Sequence, residues 1–272
     1  MLAPGHYYSP YPDLAYIEEH YSDDKFEFST EALNIDIDDI NTTLNNLSAF
    51  RQSVKFADEK NKEQFYFANN FFFRYADAWV YATMLLHLKP QKIIEIGSGF
   101  STALAMDINR EYFSNEIEIL SIDPDMNRVH AIIGNRESKV KLKQASVLDL
   151  DLDYFRTLNA NDILFIDSSH VLKQGSDVNH ILFEVLPVLK KGVVIHFHDI
   201  FLFNYPKNWF MQQQVGWNEC YALRAFLSYN STFRILFLNK FVTTYMQDVC
   251  NNLFPELLIG HGGSSLYIVK EG

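Results

Sequence analysis

From residue 92 onward, the chain alternates between continuous apolar runs and segments in which apolar and polar residues are interspersed. Short continuous runs, such as Ile163–Ile166 and Val193–Ile195, are typical of strands buried on both faces of a sheet. Between them, apolar residues recur every three or four positions, as in amphipathic helices. We predict strands at 92–96, 117–122, 139–144, 162–167 and 192–198, and helices at 100–112, 125–134, 152–158 and 174–190. This alternation predicts βαβ units and a parallel, doubly wound sheet.

The end of the chain departs from this alternation. A helix predicted at about 217–229 precedes an apolar run at Phe233–Leu238, and after an insertion a further run follows at Ser265–Val269. The pattern gives no helix of ordinary size between these two runs, which favours an antiparallel pair that closes the sheet. The predicted fold class is therefore α/β, with a doubly wound, mostly parallel seven-stranded sheet, a terminal antiparallel pair and a Rossmann-like arrangement.

The first part of the chain has weaker periodicity. Residues 1–62 are rich in Tyr, Pro, Asp and Asn, and we expect them to form an N-terminal arm or cap. Their tyrosines either cover a site or simply bury aromatic surface. Apolar residues spaced by three or four predict a helix at 63–88, which Lys89 and Pro90 end. The main domain is expected to span 63–272.

Composition narrows the class of protein. With 272 residues and 48% hydrophobic content, the chain suits one large domain. A net charge of −11 disfavours nucleic acid or an anionic membrane as the main partner, and no apolar run has transmembrane length. Cys220 and Cys250 show no metal-site spacing, and the start resembles no signal peptide. We expect a cytoplasmic protein with a small-molecule partner, and the aromatic segments make a homo-oligomer plausible.

A glycine-containing turn follows the first predicted strand. Gly97 and Gly99 allow the backbone to approach a ligand closely, and Ser98 and Ser101 lie in the same turn. Glu95 ends the apolar run and can accept hydrogen bonds from hydroxyl or amine groups. This pattern indicates a nucleotide-like ligand at the carboxyl end of a parallel sheet. The alternative is a tight strand-to-helix turn that binds nothing.

Two further strand ends carry polar residues suited to the same ligand. Asp123 ends the second strand, where folds of this type meet ribose hydroxyls. It could also cap the next helix, with Pro124 in the first turn; both roles can hold, and Asp125 could equally be the cap. Ser146 follows the third strand and could meet a base edge or cap a loop. Thr102 stands where a dinucleotide-binding turn would carry its third glycine, which lowers the chance of a nicotinamide or flavin cofactor.

The fourth and fifth strand ends each combine an acid with a histidine. Asp167 ends one, and His198 and Asp199 end the other, so the three can meet as ligands of Mg²⁺ or Mn²⁺. His170 could serve as a general base near neutral pH. The alternative is that the acids cap helices and the histidines bond locally. His196 is expected to be a packed, hydrogen-bonded core residue.

A loop follows the fifth strand, at 201–217. Loops at this edge of a sheet commonly cover substrates. Trp217 and Glu219 at its end could contribute to such a cover, or they could simply begin the next helix with Asn218 as its cap.

With these residues in hand, the chain resembles the class I S-adenosylmethionine-dependent methyltransferases over about residues 63–270. The run from Glu95 to Gly99 looks like their first motif, Asp123 looks like their ribose-binding acid, and the terminal antiparallel pair is similar to theirs. Within this class, the runs Phe-Ile-Asp167-Ser-Ser-His and His-Asp199-Ile-Phe resemble small-molecule O-methyltransferases, including metal-dependent enzymes that act on antibiotic sugars.

The resemblance implies roles for individual residues. Asp167 and Asp199 match acids that hold Mg²⁺, and His198 stands where the sugar enzymes carry a glutamate. His170 matches a histidine proposed as the base, and Asp167 also borders the cofactor.

The function predicted from all these features is methyl transfer from S-adenosylmethionine to a hydroxyl of a small polar molecule, such as a sugar or glycosylated metabolite, with a divalent metal assisting. Glu95 and Asp123 would hold the cofactor's ribose, and Gly97 and Gly99 would contact its amino-acid end. The alternatives are a metal-dependent oxygenase on the same scaffold and a non-catalytic module that binds the cofactor.

Overall fold

A seven-stranded sheet forms the centre of the protein. The computed structural model describes residues 3–23, 25–26, 29–213 and 215–272. The strands are β1 Lys92–Ile96, β2 Glu118–Asp123, β3 Lys141–Gln144, β4 Ile163–Ile166, β5 Val194–Phe197, β6 Phe233–Leu238 and β7 Leu266–Lys270. Their order across the sheet is β3-β2-β1-β4-β5-β7-β6. The expectation of a start without a signal peptide falls partly on Met1 and Leu2, which lie outside the described residues.

The pairing of the strands confirms the predicted fold class. Strands β1 to β5 pair in parallel, while β7 pairs antiparallel with both β5 and β6. The β4 segment is fully buried, as its uninterrupted apolar sequence predicts. Because the parallel strands share one direction, the carboxyl ends of β1, β2, β4 and β5 meet at one edge of the sheet.

Short and medium helices surround this sheet. They are α1 Leu14–His20, α2 Ile37–Ser48, α3 Ala76–Leu88, α4 Phe100–Tyr112, α5 Asn127–Ile133, α6 Asp153–Arg156, α7 Asp177–His180, α8 Leu186–Val188, α9 Glu219–Leu227, α10 Asn239–Tyr245 and α11 Gln247–Leu253. A π-helical turn at Ile181–Val185 joins α7 to α8. The bounds of β1, β6 and α4 match the predicted ones, and the other predicted elements from residue 92 onward lie within a few residues. Within the described residues, no helix has both the length and the apolar character needed to cross a bilayer.

The helix predicted at 63–88 is wrong in its first half. Only α3 is helical, and residues 63–75 form irregular chain. Backbone groups in this part bond to side chains instead of to a helical turn. The carboxylate of Asp107 accepts the N–H groups of Phe65 and Tyr66, at 2.8 and 2.7 Å.

The side chain of Asn70 forms hydrogen bonds with the backbone in the rest of this irregular stretch. The amide oxygen of Asn70 accepts the N–H groups of Phe72 and Phe73, at 3.0 and 2.8 Å. Tyr75 has a φ of 55°, a left-handed conformation that interrupts a helix. Phe71 is 87% exposed, so the aromatic spacing that suggested a helix does not mark a buried face.

The N-terminal segment contributes to the core. Helix α2 buries Ile40, Leu44 and Leu47 completely and packs against α3 and β6. Helix α1 lies against a π-helical turn at Trp209–Gln213, in the loop after β5. The boundary between an arm and a main domain after residue 62 stays a prediction.

The insertion between β6 and β7 is helical. Helices α10 and α11 and a 3₁₀ turn at Pro255–Leu258 follow one another, and all three contact α3 or α2. The chain then returns to β7 through Gly262 and Gly263, both with φ of 76°. At Gly263 a Cβ would lie 2.7 Å from the side chain of Asn239, so the close packing of this return requires glycine.

Candidate active site

An open cleft of about 460 Å³ lies at the carboxyl ends of β1, β2 and β4. Its volume is within the range of small-molecule sites. Some of the residues predicted to bind a cofactor line it, namely Gly97, Asp123, Ser146 and Asp167. Others do not appear in its lining, namely Glu95, Ser98, Gly99 and Ser101.

The two glycines of the turn have different surroundings. Gly97 has a φ of 90°, and a Cβ there would lie 2.3 Å from the carbonyl oxygen of Asp167. The N–H of Asp167, just after β4, donates to the carbonyl of Ile96, the last residue of β1, at 2.8 Å. Gly99 has an extended backbone, and its Cβ would meet Arg128 at 3.2 Å. A Cβ at Gly99 would therefore first meet the flexible side chain of Arg128, and contact of Gly99 with a cofactor stays a prediction.

Asp123, at the end of β2, forms hydrogen bonds with the glycine turn. One carboxylate oxygen accepts both the N–H and the hydroxyl of Ser98, at 2.8 and 3.2 Å, and the other accepts the N–H of Asp125 at 2.8 Å. Ser146 accepts the N–H of Leu148 at 3.2 Å while it lines the cleft, so its capping role and a ligand contact are compatible. Contact of Ser98 with a cofactor stays a prediction.

Glu95 lies buried beneath the turn. Its two carboxylate oxygens accept the hydroxyls of Ser101 and Thr102, at 2.6 and 2.5 Å, and the residue is 1% exposed. Burial raises the pKa of Glu95 to about 7 in spite of these hydrogen bonds. These contacts fix the start of α4 and do not support the predicted ribose contact of Glu95 or a direct cofactor contact of Ser101.

Three side chains converge where β4 and β5 end. One potential ligand atom from each of Asp167, His170 and Asp199 lies within 4.8 Å of the others. Nε2 of His170 is 3.2 Å from an oxygen of Asp167 and 4.0 Å from one of Asp199. Two carboxylates with one imidazole form a donor set suited to Mg²⁺ or Mn²⁺. We refer to these three residues as the carboxylate cluster.

His198 is predicted in this set, and it lies beside the two acids without being one of the three residues whose ligand atoms converge. Its Nδ1 lies 3.7 Å from Asp167 and 3.6 Å from Asp199, and it has no hydrogen-bond partner in the described part of the chain. The group that converges contains His170 in its place. Asp167 and Asp199 are brought together as predicted.

His170 is also held from its other side. Its Nδ1 lies 2.8 Å from the carboxylate of Glu219, the first residue of α9, and that carboxylate also accepts the hydroxyl of Ser168 at 3.0 Å. Glu219 is 1% exposed. The ring of Trp217 lies against His170, with centroids 4.2 Å apart. The sequence indicates these residues as a possible cover, but it carries no signal for the pairing of Glu219 with His170.

The charges of the cluster determine its protonation. Burial opposes a charged ring, but the hydrogen bonds with Asp167 and Glu219 raise the pKa of His170 well above its usual value. Burial also opposes charge on Asp167, yet its contacts with His170 and His198 bring its pKa well below the usual range. Burial raises the pKa of Asp199. A protonated imidazole has no free lone pair, so His170 would have to release this proton before it could accept another or bind a cation; its role as a base near neutral pH stays a prediction.

Asp77, on α3, is a site residue that no sequence pattern indicated. It is buried, and it accepts hydrogen bonds from the backbone and hydroxyl of Ser265, the backbone of Ser264 and the amide of Asn239, at 2.6 to 3.1 Å. The hydroxyl of Ser264 donates to Asp199 at 2.9 Å. Asp77 thereby joins α3 to the return segment before β7 and, through Ser264, to the cluster.

His196 is a core residue, as predicted. It is fully buried, with its ring stacked on Tyr267 at 4.1 Å and edge-on to Phe165 at 4.4 Å. Burial lowers its pKa well below the usual value, so the ring is neutral. The hydrogen bond expected for it is not found among the described residues.

Comparisons with known proteins agree with this geometry. A family model described as a methyltransferase domain matches residues 94–200, which include the glycine turn and the cluster. An uncharacterised protein from Archaeoglobus fulgidus is 35% identical over 173 residues, which cover 60% of this chain and 76% of that protein.

Solved structures show weaker similarity. A Podospora anserina methyltransferase with S-adenosylhomocysteine bound is 19% identical, with a TM-score of 0.44, over 72% of this chain and 78% of its own. A protein from Klebsiella pneumoniae described as a putative O-methyltransferase is 13% identical, with a TM-score of 0.43, over 89% and 94% of the two chains.

The sheet order, the cleft at the glycine turn and the match to the methyltransferase domain agree with the resemblance found in the sequence. The chain belongs to the class I S-adenosylmethionine-dependent methyltransferases.

Proposed function

We propose that the protein transfers the methyl group of S-adenosylmethionine to a hydroxyl of a small polar molecule, such as a sugar or glycosylated metabolite, with a divalent metal ion assisting. One observation carries the proposal: Asp167 lines the cofactor cleft and also belongs to the carboxylate cluster. A methyl donor in the cleft and an acceptor oxygen at the cluster would thus approach the same side chain.

The cleft supplies groups for each part of the cofactor. The carboxylate of Asp123 would accept hydrogen bonds from ribose hydroxyls, while Ser146 would face the base. Gly97 would bring the backbone close to the amino-acid end. S-adenosylmethionine, when bound, supplies an electrophilic methyl group on a sulfonium. The protein would hold the acceptor oxygen in line with that methyl, which removes much of the entropic barrier.

The cluster fits a divalent cation. Asp167, His170 and Asp199 would hold it, and Glu219 would orient the imidazole by its contact with Nδ1, so that Nε2 faces the carboxylates. When bound, such an ion favours the deprotonated form of an acceptor hydroxyl. The same residues would confine the acceptor oxygen, and Trp217 would exclude water from one side of His170.

An iron-dependent oxygenase is the alternative raised by the sequence. Its usual site has two histidines and one carboxylate. The converging group here has one histidine and two carboxylates, and the second histidine, His198, lies 3.6 and 3.7 Å from those acids outside the group. The two carboxylates favour the methyltransferase with Mg²⁺ or Mn²⁺.

The experiment combines turnover with direct metal binding. The protein is incubated with S-adenosylmethionine and a panel of methyl glycosides and catechols, and S-adenosylhomocysteine is measured by mass spectrometry with EDTA, Mg²⁺ or Mn²⁺. Mn²⁺ binding is followed separately by electron paramagnetic resonance. Asp199→Asn should weaken Mn²⁺ binding at least tenfold. Asp177→Asn is the matched control, because that acid borders the cleft and bonds to Ser169 outside the cluster.

The outcomes separate the parts of the proposal. Turnover of a hydroxyl compound that EDTA suppresses and Mg²⁺ or Mn²⁺ restores supports it in full. Undiminished turnover in EDTA, with no Mn²⁺ binding detected, rejects the metal and retains methyl transfer. Cofactor binding without turnover of any hydroxyl compound supports the non-catalytic alternative.

A further inference from the structure

A second cavity, of about 360 Å³, lies in the loop region after β5, and we call it the side pocket. Phe201, which lines this cavity, follows Asp199 of the carboxylate cluster by two positions. The residues that matter for its chemistry are the aromatic rings of Phe201 and Trp209, the amides of Asn204 and Asn208, and the basic side chains of Lys240 and His261.

Contacts between residues connect the wall of the side pocket to the cluster. The carbonyl of Ser264 accepts the N–H of Phe201 at 3.1 Å, and the hydroxyl of the same serine donates to Asp199 at 2.9 Å. On the other wall, the ring of Trp209 lies 5.0 Å from that of Trp217. Trp217 in turn packs on the His170 ring. Two chains of contacts therefore connect the pocket wall to the groups that would hold the acceptor oxygen.

The wall combines apolar ring surface with hydrogen-bonding groups. The rings of Phe201 and Trp209 meet edge to face, with centroids 5.4 Å apart and planes at 89°, and so form an aromatic corner. Such surfaces bind the C–H face of a saturated ring, while amides and basic side chains beside them bind hydroxyls at its edge. A purely aliphatic or aromatic ligand would leave the amides of Asn204 and Asn208 unmatched.

Asn204 gives a separate indication that a polar ligand belongs here. It is 3% exposed, and its amide nitrogen has no hydrogen-bond partner in the part of the chain that the structure describes. Its amide oxygen, by contrast, accepts the N–H of Leu202 at 3.3 Å. A buried donor without a partner is costly, so a hydroxyl oxygen supplied by a ligand would stabilise this residue.

We propose that the side pocket binds one glycosyl ring of the methyl acceptor and directs a hydroxyl of that ring, or of its immediate neighbour, toward Asp199. The volume is near the lower end of small-molecule sites, which suits a single ring rather than an oligosaccharide. This inference rests on the proposed function and adds to it the location and chemistry of acceptor binding.

Ligand-observed saturation-transfer NMR tests the inference. The probes are methyl α-D-glucopyranoside, methyl α-D-mannopyranoside and methyl α-L-rhamnopyranoside, with cyclohexanol and benzoate as non-glycosyl rings. The protein carries S-adenosylhomocysteine and Mg²⁺. At least one glycoside should show ring-proton transfer that exceeds both non-glycosyl probes. Trp209→Ala should reduce that signal at least fivefold. Phe183→Ala is the control, because this exposed aromatic lies on the turn between α7 and α8 and does not line the pocket.

Two further variants keep the test decisive if Trp209→Ala does not fold. Asn208→Ala and His261→Ala alter the polar edge of the pocket and should each weaken the glycoside signal at least threefold. Equal signals in these variants and in the wild type would overturn the inference, as would stronger transfer from benzoate or no transfer from any glycoside.

Calorimetry with S-adenosylmethionine on the same samples separates this inference from the proposed function. Intact cofactor binding without a pocket-dependent glycoside signal overturns the inference alone. Absent cofactor binding with a pocket-dependent signal supports a glycosyl site and rejects the methyltransferase role of the cleft.

Discussion

Replacing Gly97 by alanine should loosen the edge of the sheet on which the site depends. The φ of 90° costs an L-residue about 1–2 kcal/mol. The new Cβ would lie 2.3 Å from the carbonyl oxygen of Asp167, so β1 and β4 would have to separate by roughly 1 Å to reach ordinary contact. That movement strains the 2.8 Å hydrogen bond from Asp167 to Ile96, which contributes about 1 kcal/mol.

The total loss for Gly97→Ala is therefore about 2–3 kcal/mol. For a domain of this size that corresponds to a fall in Tm of roughly 4–12 °C. Because Asp167 also lines the cleft, calorimetry should show S-adenosylmethionine binding weakened tenfold or more. Gly99→Ala is the matched control: its backbone is extended and its Cβ meets only the flexible side chain of Arg128, so Tm and affinity should change little.

The comparison of the two alanine variants can refute this reasoning. If Gly97→Ala unfolds within 2 °C of Gly99→Ala and binds the cofactor equally well, the left-handed turn is not what holds β1 and β4 in register. If Gly99→Ala is the more damaging change, the ligand approaches the turn on the side of Arg128.

Three further predictions concern single acids. Asp123→Ala should weaken S-adenosylmethionine roughly tenfold or more in calorimetry, since a charge-assisted hydrogen bond contributes about 1.5–3 kcal/mol; unchanged affinity in the folded variant would contradict the ribose assignment. Because the pKa of Glu95 is raised from 4.5 to about 7, its contribution to stability is full below pH 4.5 and is lost as the pH rises to 7. Chemical denaturation should show that the free energy of unfolding of the wild type falls by on the order of 3 kcal/mol more than that of Glu95→Gln between these pH values. Equal pH dependence of the unfolding free energy in the two proteins would contradict this prediction. Asp167→Asn should lose Mn²⁺ binding and turnover while S-adenosylmethionine affinity stays within about threefold, and retained Mn²⁺ binding would exclude Asp167 as a ligand.

The parts of the site that lie at strand ends are predictable from the sequence. Continuous apolar runs locate buried parallel strands, and such strands bring their carboxyl ends to one edge. The chain pattern alone therefore places Asp123, Asp167 and Asp199 at that edge. The choice between His170 and His198 cannot be made in this way, because it depends on the path of the loop after β4, where His170 has a φ of 58°.

Contacts made by distant segments are beyond sequence reasoning. Asp77 meets Ser264 across 187 positions, and Glu219 meets His170 across 49. Neither acid belongs to a local motif, and their partners are fixed only by packing. The false helix at 63–75 has a related cause: aromatic residues there recur at helical intervals, yet side chains such as Asn70 and Asp107 satisfy the backbone.

The hydrogen bonds of Asp77 determine which segments of this protein must be transferred together when a chimera with a related enzyme is made. Ser264 and Ser265 precede β7, and Asn239 begins α10, so the insertion between the last two strands anchors the same aspartate that stands beside the active site. A hybrid that combines the five parallel strands of one enzyme with the last two of another would separate Asp199 from Ser264. The smallest exchangeable unit therefore includes α3, the parallel strands and the entire C-terminal segment from Asn239.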